Sequence, residues 1–273
     1  MNKNANNDIV INRLFTFDNS IVKTCENIAA LCNANDYFTH SFFYEDLYDA
    51  NVSDDNLPSM YVAKKNDMTV GFLSTYSLGD SIEICAFVHP DFEGMGIFKS
   101  MYRLFADDYE GYDIYVSCFP SDTKLISFIN HFDYQYHNTE LLMKYESVGF
   151  NNSSVFELLS ASFFDSKPLI INKNASENEI SYTLSTTDGS LILGEGTAFL
   201  DAQAASIHDI LIHEEYRNRK YGLLLVKYMI NDLCSMKNSI LLHVSKENAA
   251  AFSLYNKLGF KIVEQLDYYL SML

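Results

Sequence analysis

From Ile207 the chain reads IHDILIH, an alternation of apolar and polar positions that predicts a half-buried strand. From Leu223 it reads LLLVKYMINDL, whose apolar positions fall at helical spacing. The stretch between them, YRNRKYG over residues 216–222, is therefore expected to turn from the end of a strand into the start of a helix. A second copy of this order lies upstream. EICAFVHPDFEGMGIFKSMYRLFADD, from Glu83, superposes strand, turn and helix on the stretch from Ile207 at an offset of 124. DIYVSCFPSDTKLISFINHFDYQ and SILLHVSKENAAAFSLYNKLGFK then match at an offset of 126. Each predicts a strand, a short linker, a helix and a closing aromatic, Tyr134 or Phe260.

Hairpin patterns precede each copy. SMYVAKKNDMTVGFLSTYSLGDSIEICAFV predicts three strands joined by Lys-Asn-Asp and Gly-Asp turns, and ISYTLSTTDGSLILGEGTAFLDAQAASIHDILI does the same with Asp188-Gly189 as a hairpin signal. Each half is thus α+β, and the chain is expected to be duplicated, with domains 1–148 and 149–273 and a boundary near Gly149. NNSSVFELLSASFFDSKP, from Asn151, would open the second half. SIVKTCENIAALCNAN predicts an amphipathic helix capped by Ser20, with Ile21, Cys25, Ile28, Ala29 and Cys32 along one face. The second half has little room for a counterpart and is expected to borrow cover from the first.

Composition supports two cores: 273 residues, 48% hydrophobic. No apolar run approaches the roughly 18 residues needed to cross a bilayer, and MNKNANNDIVINR lacks the apolar stretch of a secretory signal. A cytoplasmic protein with no membrane partner is expected. The five cysteines, Cys25, Cys32, Cys85, Cys118 and Cys234, lie in apolar patterns without C-x-x-C spacing, as buried free thiols would. A net charge of −17 argues against nucleic acid as a partner and favours cationic substrates, or serves solubility alone. The acidity is uneven, with 22 acids against 9 bases in residues 1–148 and 14 against 10 thereafter.

The turn itself carries candidate chemistry. Arg217, Asn218, Arg219, Lys220, Tyr221 and Gly222 would present successive amides at a helix N-terminus, where the dipole and unpaired donors favour a phosphate or pyrophosphate. In ENAAAFSLYNKLGF, Asn248 and Tyr255 stand seven residues apart, nearly two turns, and so share a face; Gly259 closes the helix. Read by themselves, these two residues are also a helix cap and a core aromatic.

Strand, R-x-x-x-x-G turn and helix, followed by strand, N-x6-Y helix and L-G-F, resemble the GNAT superfamily of acyl-CoA N-acyltransferases in tandem form, over most of both halves. The resemblance implies two GNAT-like domains, each a mixed, largely antiparallel sheet flanked by helices. It implies acetyl-CoA as co-substrate and no metal. The family's phosphate loop, Q/R-x-x-G-x-G/A, maps onto Arg217 and Gly222, with Lys220 in place of the first glycine. The backbone of Leu211, Ile212 and His213 would pair with the pantetheine arm at a splayed fourth strand, Asn248 would contact the cofactor, and Tyr255 would protonate the departing thiolate. In the first half Glu93 and Phe98 replace loop residues, Asp122 stands at the Asn position and Ile129 at the Tyr position, so that half is expected to be catalytically degenerate.

The implied reaction is direct attack of a primary amine on the thioester, with a strand N–H stabilising the oxyanion. For the base, Asp209 and His208, on opposite faces of the strand, and a water chain remain open. The acceptor is a small amine or a peptide N-terminus. NDYFTHSFFYEDLYD, from Asn35, offers Phe38, Phe42, Phe43 and Tyr48 among Glu45, Asp46 and Asp49. They would line a site for a cation, or simply pack an interface. A hydrolase elbow and a P-loop are absent from the sequence, and His213-Glu214-Glu215 has no second histidine four residues on. The rival class is a non-catalytic CoA-binding or interaction module. Oligomeric state is left open.

Overall fold

The computed structural model describes residues 9–16, 18–36, 57–78, 81–146, 163–164 and 167–272. The aromatic and acidic stretch at 37–49, the expected boundary at Gly149 and the segment 151–162 lie outside the described residues. The chain divides into two compact units, Met1–His137 with Asp267–Leu273, and Asn138–Leu266.

Unit one is a sheet of β1 (Ile9–Leu14), β2 (Met60–Lys65), β3 (Met68–Leu78), β4 (Ser81–Val88) and β5 (Asp113–Cys118), with helices α1 (Asn19–Asp36), α2 (Ile97–Asp108) and α3 (Thr123–His131). β1 to β4 run antiparallel; β4 and β5 pair in parallel only over Ser81–Glu83 and Asp113–Tyr115. Two chain-crossing strands follow in sequence, β6 (Gln135–Glu146) and, at the C-terminus, β13 (Lys261–Met272). The Asp267–Met272 end of β13 pairs antiparallel with β5.

On one face α1 buries Cys25, Ile28, Ala29 and Cys32 against Met60, Val62, Phe72 and Phe87, the face that its periodicity predicts. Its cap differs from the expected Ser20. Asp18 Oδ1 accepts from the N–H groups of Ser20 and Ile21, each at 3.0 Å, so the carboxylate one residue before the helix satisfies the open donors. α2 and α3 cover the other face, where Ile97, Met101, Tyr102 and Phe105 pack with Ile82, Ile114 and Ile129.

Unit two repeats the plan with β7 (Phe163–Phe164), β8 (Lys167–Ala175), β9 (Glu179–Thr186), β10 (Ile192–Leu200), β11 (Ala205–Ile212) and β12 (Ser239–Ser245), and helices α4 (Tyr221–Leu233) and α5 (Ala249–Leu258). β11 and β12 pair in parallel only from Ala205 to Ile207 against Ile240 to Leu242. β12 is completed by Glu140–Glu146 of β6, antiparallel. One core cluster lies under α4 and α5. On the opposite face Ile170, Phe199 and Leu211 are exposed, and the described residues of this unit include no counterpart of α1.

The repeat offsets hold in space. β4 and β11 begin at Ser81 and Ala205, and α2 and α4 at Ile97 and Tyr221, both 124 apart; β5 and β12, α3 and α5, and β6 and β13 begin 126 apart. The last strand of each repeat completes the sheet of the other unit in the same register, because Asp267 faces Cys118 and Leu141, its equivalent, faces Val244. The compact units therefore differ from the expected 1–148 and 149–273. A division at 148/149 would cut each sheet off from its final strand. The duplication reaches a polar network as well: Tyr61 donates to Asp108 (2.9 Å), which also binds Arg13, and Tyr182 donates to Asp232 (2.8 Å), which also binds Lys173.

Candidate active site

In unit two β11 and β12 part after Ile207, each keeping its other neighbour, so a V opens between them. Its walls are specific. His213 N–H donates to Leu193 O on β10 (3.0 Å), and the Leu211 carbonyl oxygen would come within 2.6 Å of a Cβ added at Gly194 on that strand. By strand alternation the peptide groups of Ile210 and Ile212 turn the other way, toward the V. Of Leu211, Ile212 and His213, only Ile212 thus faces the opening, and its carbonyl accepts from Arg217 Nε at 2.9 Å.

The turn beyond β11 has the same backbone in both repeats. Gly94 and Gly96 have φ of 73° and 75°; their equivalents Asn218 and Lys220 have 62° and 67°. In the second repeat the left-handed positions are thus held by an asparagine, which tolerates them, and by a lysine, which does not readily do so. Lys220 directly precedes the first residue of α4, where unpaired N–H groups point outward. Arg217, Arg219 and Lys220 are exposed there, with Arg219 5.5 Å above the ring of Phe164, and Glu214 and Glu215 in the preceding 3-10 turn offset part of their charge. Tyr221 packs into the core, so only its peptide is available to a ligand. At Gly222 a Cβ would sit 3.6 Å from Ile212 Cγ1 and Leu254 Cδ2. The equivalent Phe98 instead meets Phe128 edge to face at 4.9 Å.

A register shift interrupts β10–β11 pairing between Glu195/Leu211 and Thr197/His208, and within it Asp209 takes φ 52°. This bulge cancels the alternation that would place His208 and Asp209 on opposite faces. His208 Nδ1 lies 2.9 Å from Asp209 Oδ2, both side chains well exposed. His208 and Asp209 therefore do not lie on opposite faces of the strand, as regular alternation would place them.

These residues meet Tyr255 and Asn248 in one cleft of about 280 Å3, lined also by Glu140, His243 and Ser245. The Tyr255 ring is edge-on to Phe260 at 5.8 Å, and burial holds its hydroxyl above the usual tyrosine pKa, which keeps it a proton donor. Among the described residues no hydrogen bond occupies that hydroxyl. Asn248 is an N-cap, its Oδ1 accepting from Ala251 N at 3.1 Å, and it also lines the cleft. Glu140 and His243 escaped the sequence reading. Glu140 arrives on the exchanged strand, so no local spacing ties it to Tyr255; burial raises its carboxyl pKa while neighbouring His243 opposes the rise.

The equivalent region of unit one is different. Ile129 replaces the tyrosine and is buried, Phe98 fills against Phe128, and Glu93 is held by Lys124 at 3.2 Å. Beside the opening of β4 and β5 lies Glu83, 8% exposed, with Oε1 lacking a hydrogen-bond partner among the described residues. Among the described residues no cluster of three His, Cys, Asp or Glu is placed to hold a metal, and no helix is long and apolar enough to cross a membrane.

Residues 197–269 match the family described as FR47-like protein. No curated protein matches the chain in sequence. A GCN5-related N-acetyltransferase from Sphaerobacter thermophilus is similar in structure at TM-score 0.68 and 13% identity, over 97% of this chain and 96% of that one. A tandem GNAT protein from the clavulanic acid biosynthesis pathway is similar at 0.67 and 11%, over 96% and 98%. An acetyltransferase of the GNAT family from Colwellia psychrerythraea is similar at 0.57 and 10%, over 96% and 99%. The fold is that of the GNAT superfamily. The chain carries it twice, in tandem form, with the FR47-like match in its second half.

Proposed function

We propose that unit two is an N-acetyltransferase that moves an acetyl group from acetyl-CoA to a primary amine. The observation that carries the reading is the convergence of a protonated, unengaged Tyr255 hydroxyl and the His208–Asp209 pair on one cleft at the parting of two strands. The residues fit the donor: outward amides and three cations at the start of α4 suit a pyrophosphate, and strand peptides at Ile210 and Ile212 suit an extended amide-bearing arm. When bound, acetyl-CoA supplies the activated acyl carbon.

Arg217, Arg219 and Lys220 hold the phosphates, with the amides of residues 218–222. Asn248 lines the path of the arm. Asp209, through His208 or directly, accepts the proton of an ammonium acceptor, and Tyr255 protonates the departing sulfur. Unit one serves as scaffold: Ile129 donates no proton, and Phe98 sets its ring edge to face against Phe128 at the position where Gly222 carries no side chain. None of the five cysteines is in a disulfide among the described residues, and burial pushes the thiol pKa of Cys25, Cys85 and Cys118 up to about 12, as suits a reducing cytoplasm. A second reading, a CoA-binding module without turnover, takes support from the strained lysine of the phosphate turn.

Calorimetric titration with acetyl-CoA tests both. One site per chain, abolished by Arg217→Glu with Lys220→Glu, is the expected result. Turnover that is lost in Tyr255→Phe while binding is kept separates enzyme from binding module. Absence of binding would overturn both readings.

A further inference from the structure

Asp209 and Ile210 line two clefts at once. One holds Tyr255. The other, about 450 Å3, opens over β9, β10 and β11 on the far side of the bulge. Its side-chain lining is Ser181, Thr183, Thr197, Glu195, Asp209 and Leu211. Tyr182, Gly196 and Ile210 contribute backbone only: the Tyr182 ring is buried with its hydroxyl on Asp232, a Cβ on Gly196 would point at Met229 Sδ, and the Ile210 side chain lies on that same core side, 3.5 Å from such a Cβ. Three hydroxyls and two carboxylates thus face the space. No Lys, Arg or His is among the residues that line it.

We infer that this second cleft receives the acceptor, and that the acceptor is a small hydroxylated primary amine, cationic at neutral pH. The inference rests on the transferase reading and adds the substrate class. An ammonium group is matched by Glu195 and Asp209, whereas an anionic acceptor meets two like charges on a chain of net charge −17. Hydroxyls on the acceptor pair with Ser181, Thr183 and Thr197. A purely alkyl amine would strip water from those groups and return no hydrogen bond. Because Asp209 belongs to both clefts, the nitrogen held in one is delivered toward the acyl carbon held in the other.

The ammonium gives one proton to the His208–Asp209 pair and through it to solvent. The nitrogen forms a C–N bond to the acyl carbon, and the C–S bond breaks with its electron pair on sulfur. Tyr255 protonates the sulfur and is reprotonated by the second proton leaving nitrogen, so one proton is released per amide formed.

The test uses the full chain, acetyl-CoA and release of free thiol, with 2-amino-1,3-propanediol, butylamine and glutamate as probes. The expected result is a kcat/KM for the aminodiol at least tenfold above butylamine, with glutamate poorest. Glu195→Lys is expected to raise the aminodiol KM tenfold or more, with the calorimetric Kd for acetyl-CoA unchanged. Thr183→Val is expected to narrow the preference for the aminodiol over butylamine. Equal use of butylamine, an unmoved KM in Glu195→Lys, or tight acetyl-CoA binding without turnover of the aminodiol would overturn the inference and leave the donor site standing. Failure of the wild-type chain to bind acetyl-CoA is read separately in the calorimeter and overturns the transferase reading beneath it.

Discussion

Asp209 and His208 are sequence neighbours on one strand, yet their side chains share a hydrogen bond of 2.9 Å because Asp209 sits in a bulge at φ 52°. A regular strand would separate them by the full thickness of the sheet. The bulge thus builds a carboxylate–imidazole pair where β11 leaves β12. Asp209→Asn removes the negative partner and keeps the backbone. The expected outcome is a fall in kcat/KM of about 10²-fold or more at neutral pH. The deficit should shrink as pH rises toward the amine pKa, because a neutral acceptor no longer needs a base. A pH-independent deficit would assign the pair a positioning role instead.

Tyr255 is expected to act as acid. Burial raises its pKa, so the proton stays in place through and beyond the usual tyrosine range near pH 10. Tyr255→Phe should lower kcat by about tenfold or more while the acetyl-CoA Kd moves less than twofold. Little stability should be lost, since no described partner holds the hydroxyl. Equal loss of binding and rate would point to a packing role.

Lys220 occupies a left-handed position that its counterpart Gly96 fills without strain. Lys220→Gly should stabilise the fold by roughly 1 kcal/mol, read as a higher urea midpoint. It should also weaken donor binding, since one cation leaves the turn. A midpoint that stays put would mean that Lys220 gains from contacts its φ does not reveal.

The duplication was legible in the sequence because both offsets are long runs of matched hydrophobic period, and Ile97, Met101 and Phe105 fall where Tyr221, Leu225 and Met229 fall. Tyr255 and the charged turn were legible for the same reason: local spacing places them. The bulge was not. IHDILI reads as an unbroken strand, and the departure at Asp209 shows only in the pairing of β10 with β11. Nor was Glu140, which reaches the cleft of unit two on β6, about a hundred residues before its neighbours there. Exchange of a terminal strand changes no hydrophobic pattern, since the strand needs the same alternation in either sheet.

That exchange makes a direct prediction about truncation. Residues 149–273 alone lack Glu140–Glu146, so β12 is left with an open edge, and the Asp267–Met272 strand has lost its partner β5. This fragment should aggregate or show little cooperative unfolding. Residues 138–266 hold every strand that pairs in unit two and should unfold cooperatively by circular dichroism. A well-folded 149–273 would show that the terminal strand can return to its own half.

Glu83 supplies a test in which pH reports on packing. The residue is 8% exposed, its Oε1 has no described partner, and burial raises the carboxyl pKa above the usual carboxylate value, with a hydrogen bond to Ser117 opposing the rise. A raised pKa in the folded state means that the native protein binds the proton more tightly than the unfolded chain. Its stabilising contribution is therefore present below the unfolded pKa and is lost as pH rises through the folded one. Glu83→Gln keeps the shape and cannot ionise. The variant should match the wild type in urea unfolding near pH 4 and exceed it at pH 7.5, by roughly 1–3 kcal/mol for a buried carboxylate with one oxygen unpaired. Because both proteins share all other carboxylates, the difference between them isolates this side chain. A gap that is the same at both pH values would mean that Glu83 meets a cation or water that neutralises it in the native state.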